Sequence, residues 1–136
     1  MSQTASDVMS TKLITVTPST SIMEFARTCT EDGISGAPVV QVDGTLVGVV
    51  SKTDIVNHML DEDPRFGTVE DAPSWAEERE VQDIMQTDVL TVAPDTPVAD
   101  IAERMAEDRI HRVLVLDRGK LVGIVTSIDL LAYYPK

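Results

Sequence analysis

Cysteine is nearly absent. Cys29 stands alone in 136 residues, which excludes an internal disulfide and any multi-cysteine zinc site. Positive charge is scarce as well: 11 basic residues face 23 acidic ones, for a net charge of −12. Nucleic-acid backbones and anionic membrane surfaces carry the same sign, so neither is expected as a partner. No apolar run reaches the length that spans a bilayer. Met1 to Ser6 has neither a basic head nor an apolar stretch, so no secretory signal is read and a cytoplasmic location is expected. Nucleophile elbows, phosphate-binding glycine loops, HExxH and Cys/His constellations are all missing. The chain is therefore not expected to be an enzyme. The hydrophobic fraction of 43% excludes general disorder. The length suits one ordinary domain, or two small modules sharing a core, without disulfide or metal staples.

A repeat organises what is there. Asp7-Val8-Met9 returns as Asp83-Ile84-Met85, and Thr15-Val16-Thr17-Pro18 as Thr91-Val92-Ala93-Pro94. Glu31-Asp32-Gly33-Ile34 returns as Glu107-Asp108-Arg109-Ile110, and Leu46 to Ser51 as Leu121 to Thr126. The offset is 76 at first and 75 after one residue is lost near Val42, and 18 of 49 aligned positions are identical.

Each copy reads as strand, helix, strand, strand, helix. Leu13 to Thr17 is a β-branched strand stopped by Pro18. Thr20 and Thr96 are predicted to cap the helices that follow, with Pro97 at the first helical position. Ile22, Phe25, Ala26 and Cys29 fall at helical spacing, as do Val98, Ile101, Ala102 and Met105. Gly33 suits a left-handed C-cap. Pro38–Val42 and Leu46–Val50 are two strands joined by a turn at Asp43-Gly44. Arg118-Gly119 does the same between Val113–Leu116 and Leu121–Val125. A last helix starts after Ser51 in one copy and after Thr126 in the other. Residues 61–80 read as an acidic, solvated connector, with a helix starting at about Trp75 under a Ser74/Glu77 capping box. The copies themselves occupy residues 1–60 and 81–136.

These residues resemble a tandem pair of CBS domains, a Bateman module. The Asp-x-Met openings, the Thr-Val-x-Pro strand ends and Gly33-Ile34-Ser35-Gly36-Ala37-Pro38-Val39-Val40 carry the resemblance. So do the segments Gly48–Asp54 and Gly123–Asp129. The resemblance implies an α+β fold of two β-α-β-β-α repeats packed sheet to sheet with pseudo-two-fold symmetry. It also implies a stand-alone regulatory module binding adenosine-containing ligands in clefts between the repeats, and a disc-like homodimer.

The candidate ligand-binding residues follow from the resemblance and from chemistry together. In the first copy they are Met9, Ile14, Thr15, Ile34, Ser35, Gly36, Pro38, Ser51, Lys52 and Asp54. In the second they are Met85, Leu90, Thr91, Ile110, His111, Arg112, Thr126 and Asp129. Ser51/Asp54 and Thr126/Asp129 sit where a strand becomes a helix. A carboxylate there accepts from vicinal ribose hydroxyls, as acidic residues do in other nucleotide folds; the same spacing is equally a plain helix start. Arg112 suits bidentate contact with phosphate and His111 adds a donor, or both are surface residues. In similar CBS repeats this pair faces the nucleotide phosphates. The first copy departs, with Ser35-Gly36 in place of His111-Arg112, and Lys52 partly compensates. Ile14, Leu90, Ile34 and Ile110 wall an adenine pocket or are ordinary core, and Met9 and Met85 open each copy. Cys29 reads as a buried structural thiol, His58 as a helix-end residue and Trp75 as an anchor.

The functional expectation is a ligand sensor for AMP, ADP, ATP or S-adenosylmethionine, needing no cofactor. It would signal to a separate, unidentified protein. The apolar faces Ile55/Val56/Met59 and Leu130/Leu131 are expected to make a homodimer. The alternatives are an assembly protein with non-functional clefts, or a metal-dependent hydrolase using Asp61, Glu62 and Asp63.

Overall fold

The structure is a computed structural model and describes residues 3–62 and 78–132. Residues 63–77 lie outside the described residues, and with them Asp63, the helix expected at about Trp75 and its expected Ser74/Glu77 capping box. In chain order the elements are α1 (Ala5–Val8), α2 (Ile22–Asp32), β1 (Gly36–Val40), β2 (Leu46–Ser51) and α3 (Lys52–Glu62). A 3-10 turn (Val81–Asp83) follows, then β3 (Thr91–Val92), α4 (Val98–Asp108), β4 (Arg112–Asp117), β5 (Lys120–Thr126) and α5 (Ser127–Ala132). The result is an α+β chain with two sheets, one of β1 and β2 and one in the order β3-β4-β5.

The described residues fall into two compact units. One holds 3–13, 44–46 and 89–132, the other 14–43, 47–62 and 78–88. In the first of these, β3 runs parallel to β4, with Thr91 opposite Leu114. β4 runs antiparallel to β5, with Arg112 opposite Thr126. Its core is Ala5, Val8, Ile101, Met105, Val113, Val115 and Val125. In the other unit the core is Val16, Ile22, Phe25, Cys29, Ala37, Val39, Val50, Ile55 and Val81. The helical spacing seen in the sequence supplies α2 and α4 with these faces.

Several local expectations need correction. The N-cap of α2 is Ser21, whose Oγ accepts from Glu24 N–H at 3.0 Å. Thr20 instead accepts from Thr17 N–H at 3.1 Å. Thr96 does the same for Ala93 N–H at 3.1 Å, and Pro97 is the N-cap of α4. Both threonines close the turn after the proline, so their hydroxyls are already committed. The strand expected over Leu13–Thr17 is a single parallel bridge, Val16 to Val39. Its counterpart β3 is two residues long. His58 lies inside α3, half-buried, with Arg79 Nη1 at 3.2 Å from its Nε2.

Other expectations agree with the structure. Gly33 is left-handed at φ 67°, and Arg109 holds the same conformation at φ 54° in the second copy. Gly44 turns at φ 91°, and Arg118-Gly119 turns with both residues at positive φ.

Candidate functional site

The opening segment of each copy is held in two ways. Asp7 Oδ2 accepts from Thr4 N–H at 2.8 Å, and Asp83 Oδ2 from Glu80 N–H at 2.9 Å. This carboxylate closes a short turn and aims the following methionine. Met9 lies against Gly123 and Met85 against Gly48. Ser10 then makes a two-way backbone pair with Ile124 (2.8 and 3.0 Å), and Gln86 one with Val49 (2.9 and 2.8 Å). The opening of the first copy thus lies on β5 of the second, and the opening of the second lies on β2 of the first. Nothing in the sequence distinguishes this exchange from each opening lying on its own copy.

The strand-to-helix junctions are built alike. Ser51 N–H and Oγ–H donate to Asp54 Oδ2 at 2.8 and 3.0 Å, and Ser51 Oγ accepts from Asp54 N–H at 3.2 Å. Thr126 and Asp129 repeat the three distances, 2.8, 3.0 and 3.2 Å. Each pair is a reciprocal capping box, so the helix-start reading holds for one carboxylate oxygen. The other oxygen differs. Asp54 Oδ1 accepts from Gln86 Nε2 at 3.0 Å. Among the described residues, no side chain bonds Asp129 Oδ1. Asp54 is 8% exposed, whereas Asp129 is half-buried.

A backbone bond joins each helix start to the residue just before the hairpin that precedes it. Lys52 N–H donates to Ser35 C=O, and Ser127 N–H to His111 C=O, both at 2.9 Å. In the unit carrying Asp129, the structure brings together His111, Arg112, Thr126 and Asp129. Arg112 and Thr126 are cross-strand partners and share a sheet face. His111 and Arg112 are exposed; Leu90, Thr91, Ile110 and Met9 are half-buried. In the other unit, Ser35, Gly36, Ser51, Lys52 and Asp54 converge in the same way. The carbonyl of Val50 stands 3.0 Å from where a Cβ of Gly36 would be, so no side chain takes the place of Arg112. Ile14 is 41% exposed and Thr15 exposed, Ile34 half-buried against the core, Pro38 buried and Met85 half-buried against the core. Gln86 is the contributor that motif reading missed. Its aligned position holds Ser10, and only the bridge to Val49 carries its amide to Asp54.

Cys29 is buried, and burial pushes its thiol above the ordinary range, while the charge of Lys52 pulls it partly back. A groove of about 650 Å³ runs between α4 and α5 and adjoins the Thr126/Asp129 junction, with Ile110, His111 and Ser127 in its lining beside Met105, Arg109, Leu130 and Leu131. Of the helix faces, Ile55 and Met59 turn to the core, and Leu130 packs against it. Val56, Leu60, Ile128 and Leu131 stay exposed. Among the described residues no cluster of three metal-binding side chains occurs, and no helix is long and apolar enough to cross a membrane.

Known proteins share this fold. The family model for the CBS domain matches residues 5–61 and 81–136. Uncharacterized protein MJ1426 of Methanocaldococcus jannaschii is 30% identical, over 92% of this chain and 87% of its own length. The solved structure of CBSX2 in complex with AMP is 30% identical with a TM-score of 0.76, covering 96% of this chain and 94% of that one. The CBS domain pair of protein MJ0100, in complex with 5′-methylthioadenosine and S-adenosyl-L-methionine, is 28% identical with a TM-score of 0.75, covering 98% and 97%. The chain spans only 37% and 40% of two further relatives, which are longer proteins. Two family matches that take in most of the sequence, on a fold shared with solved CBS pairs, place this chain in the CBS-domain family as a tandem pair of CBS domains.

Proposed function

We propose that the chain is a regulatory module that binds an adenosine-containing ligand at its strand-to-helix junctions and signals to a separate protein. The observation that carries this reading is Arg112 opposite Thr126 in the strand register, with Asp129 three residues further along. Arg112, whose guanidinium suits phosphate, thus lies opposite the threonine bonded to Asp129. That carboxylate has one oxygen without a side-chain partner among the described residues, suited to a ribose diol. The AMP in CBSX2 and the S-adenosyl-L-methionine in the MJ0100 pair support the ligand class. At a net charge of −12 the protein repels anions at long range, so local donors must overcome that field. Arg112, His111, Lys52 and the helix-start amides are the groups available for it. The role is regulatory and not catalytic. A homodimer through the exposed Val56, Leu60, Ile128 and Leu131 completes the reading.

Calorimetric titration with AMP and with adenosine tests it. Arg112→Ala should weaken AMP roughly ten- to a hundred-fold and adenosine much less, since a charged hydrogen-bonding partner is lost only to the phosphate. Asp129→Ala should weaken both alike. Equal losses for the two ligands on Arg112→Ala would remove the phosphate role.

A further inference from the structure

The two junctions share every capping distance, yet among the described residues only one has a side chain bonded to its second carboxylate oxygen. Gln86 is anchored by its two backbone bonds to Val49, 2.9 and 2.8 Å, and its amide reaches Asp54 Oδ1 at 3.0 Å. Ser10 is anchored by the same bonds to Ile124, 2.8 and 3.0 Å, and makes no side-chain bond to Asp129 among the described residues. A carboxylate that accepts from a vicinal diol needs lone pairs free on the oxygen facing it. Asp129 keeps those of Oδ1. Asp54 has one of those lone pairs taken by the amide.

We propose that Gln86 is an internal occupant of the Asp54 site, so that a ribose-bearing ligand enters there only after the amide has swung away. This rests on the adenosine-binding reading above. The ligand pays a population penalty equal to the fraction of time the amide is off. For one solvent-edge bond to a carboxylate that penalty is about five- to ten-fold in affinity. The pair then fills in order, the Asp129 site at lower ligand concentration and the Asp54 site at higher. One chain would answer to two concentration ranges.

The test uses the full chain and adenosine, which carries the diol without a phosphate and so removes the advantage that Arg112 gives to AMP. In an Asp129→Ala background, adding Gln86→Ser should strengthen adenosine binding about five- to ten-fold. The gain should vanish with 2′-deoxyadenosine, which lacks the diol. The reciprocal variant Ser10→Gln, in the otherwise unchanged chain, should weaken the tighter site by a similar factor. Serine at position 10 already occupies the same backbone setting, so Gln86→Ser is expected to fold, and Ser10 is exposed, so Ser10→Gln leaves its backbone pair with Ile124 in place. No change in either variant, with adenosine still bound by the unaltered chain, would overturn the role of Gln86 and leave the proposed function standing. An equal gain with 2′-deoxyadenosine would also overturn it. Failure of the unaltered chain to bind adenosine or AMP at all would overturn both.

Discussion

Asp54 and Asp129 each carry two carboxylate oxygens, and helix capping uses only one of them. Oδ2 caps a helix in both, so removing either carboxylate costs about 1 kcal/mol of stability before any ligand is considered. The sequence offered helix start and ribose contact as competing readings of one spacing. They compete only while the carboxylate is treated as a single acceptor. At the same scale, Cys29 contributes a pH dependence. Burial raises its thiol pKa above the unfolded value, so the folded state holds the proton longer. The resulting stability is fully present at neutral pH and is lost as pH rises through the alkaline thiol range. Urea unfolding from pH 7 to 10 should show stability falling above about pH 8, by at most about 1.4 kcal/mol per pH unit. Cys29→Ala should lower stability at pH 7 and flatten that slope. An unchanged slope would assign the pH dependence to other groups.

Elements were legible where a strong period or a turn residue fixes them, and less so at their edges. The faces of α2 and α4, the Gly33 cap and the Arg118-Gly119 turn all follow from local residue chemistry. The cap at Ser21 did not, because Thr20 and Ser21 are both good acceptors. Only the turn after Pro18 decides which hydroxyl is already used. The first strand shrank to one bridge because β-branched residues favour extension without supplying a partner for it. The Gly-x-Val motif acquires a packing reason. A Cβ on Gly48 would stand 2.8 Å from both Met85 Sδ and the Gln86 carbonyl, whereas the three atoms nearest one on Gly123 all belong to the side chain of Met9. A carbonyl fixed in a backbone bridge cannot rotate aside as a thioether can. Gly48→Ala should therefore cost about 2–3 kcal/mol and Gly123→Ala about 1 kcal/mol. Chemical denaturation of the two variants would check the order, and equal costs would contradict it.

At the scale of the whole molecule, the exchanged openings make the amino terminus part of the unit that holds most of the second copy. Ala5 and Val8 are core residues of that unit, and Ser10 pairs with Ile124. Deleting residues 1–13 should therefore destabilise the second copy, by about 3 kcal/mol or more. Hydrogen exchange should show lost protection in β4 and β5, and unaltered protection there would count against the exchange. The exposed Ile128 and Leu131, 75% and 71% accessible, lead to the second expectation at this scale. Sedimentation at micromolar concentration should show a dimer, and Leu131→Glu should split it. A single 14.8 kDa species in the unaltered chain would refute the dimer.

The repeat, the helix-strand-strand-helix order that ends each copy, the glycine turns and the residue types gathered at each junction were all legible in the sequence. These are set by periods of two and 3.6 and by the chemistry of neighbours a few positions apart. Only the tertiary structure decided which strand receives each opening segment. Met9 and Met85 are equivalent, Gly48 and Gly123 are equivalent, and local preference cannot choose between two matching acceptors. Nor could spacing alone separate the two carboxylates. Gln86 lies 32 residues from Asp54, and its amide arrives there only because the chain lays the second copy's opening along β2 of the first.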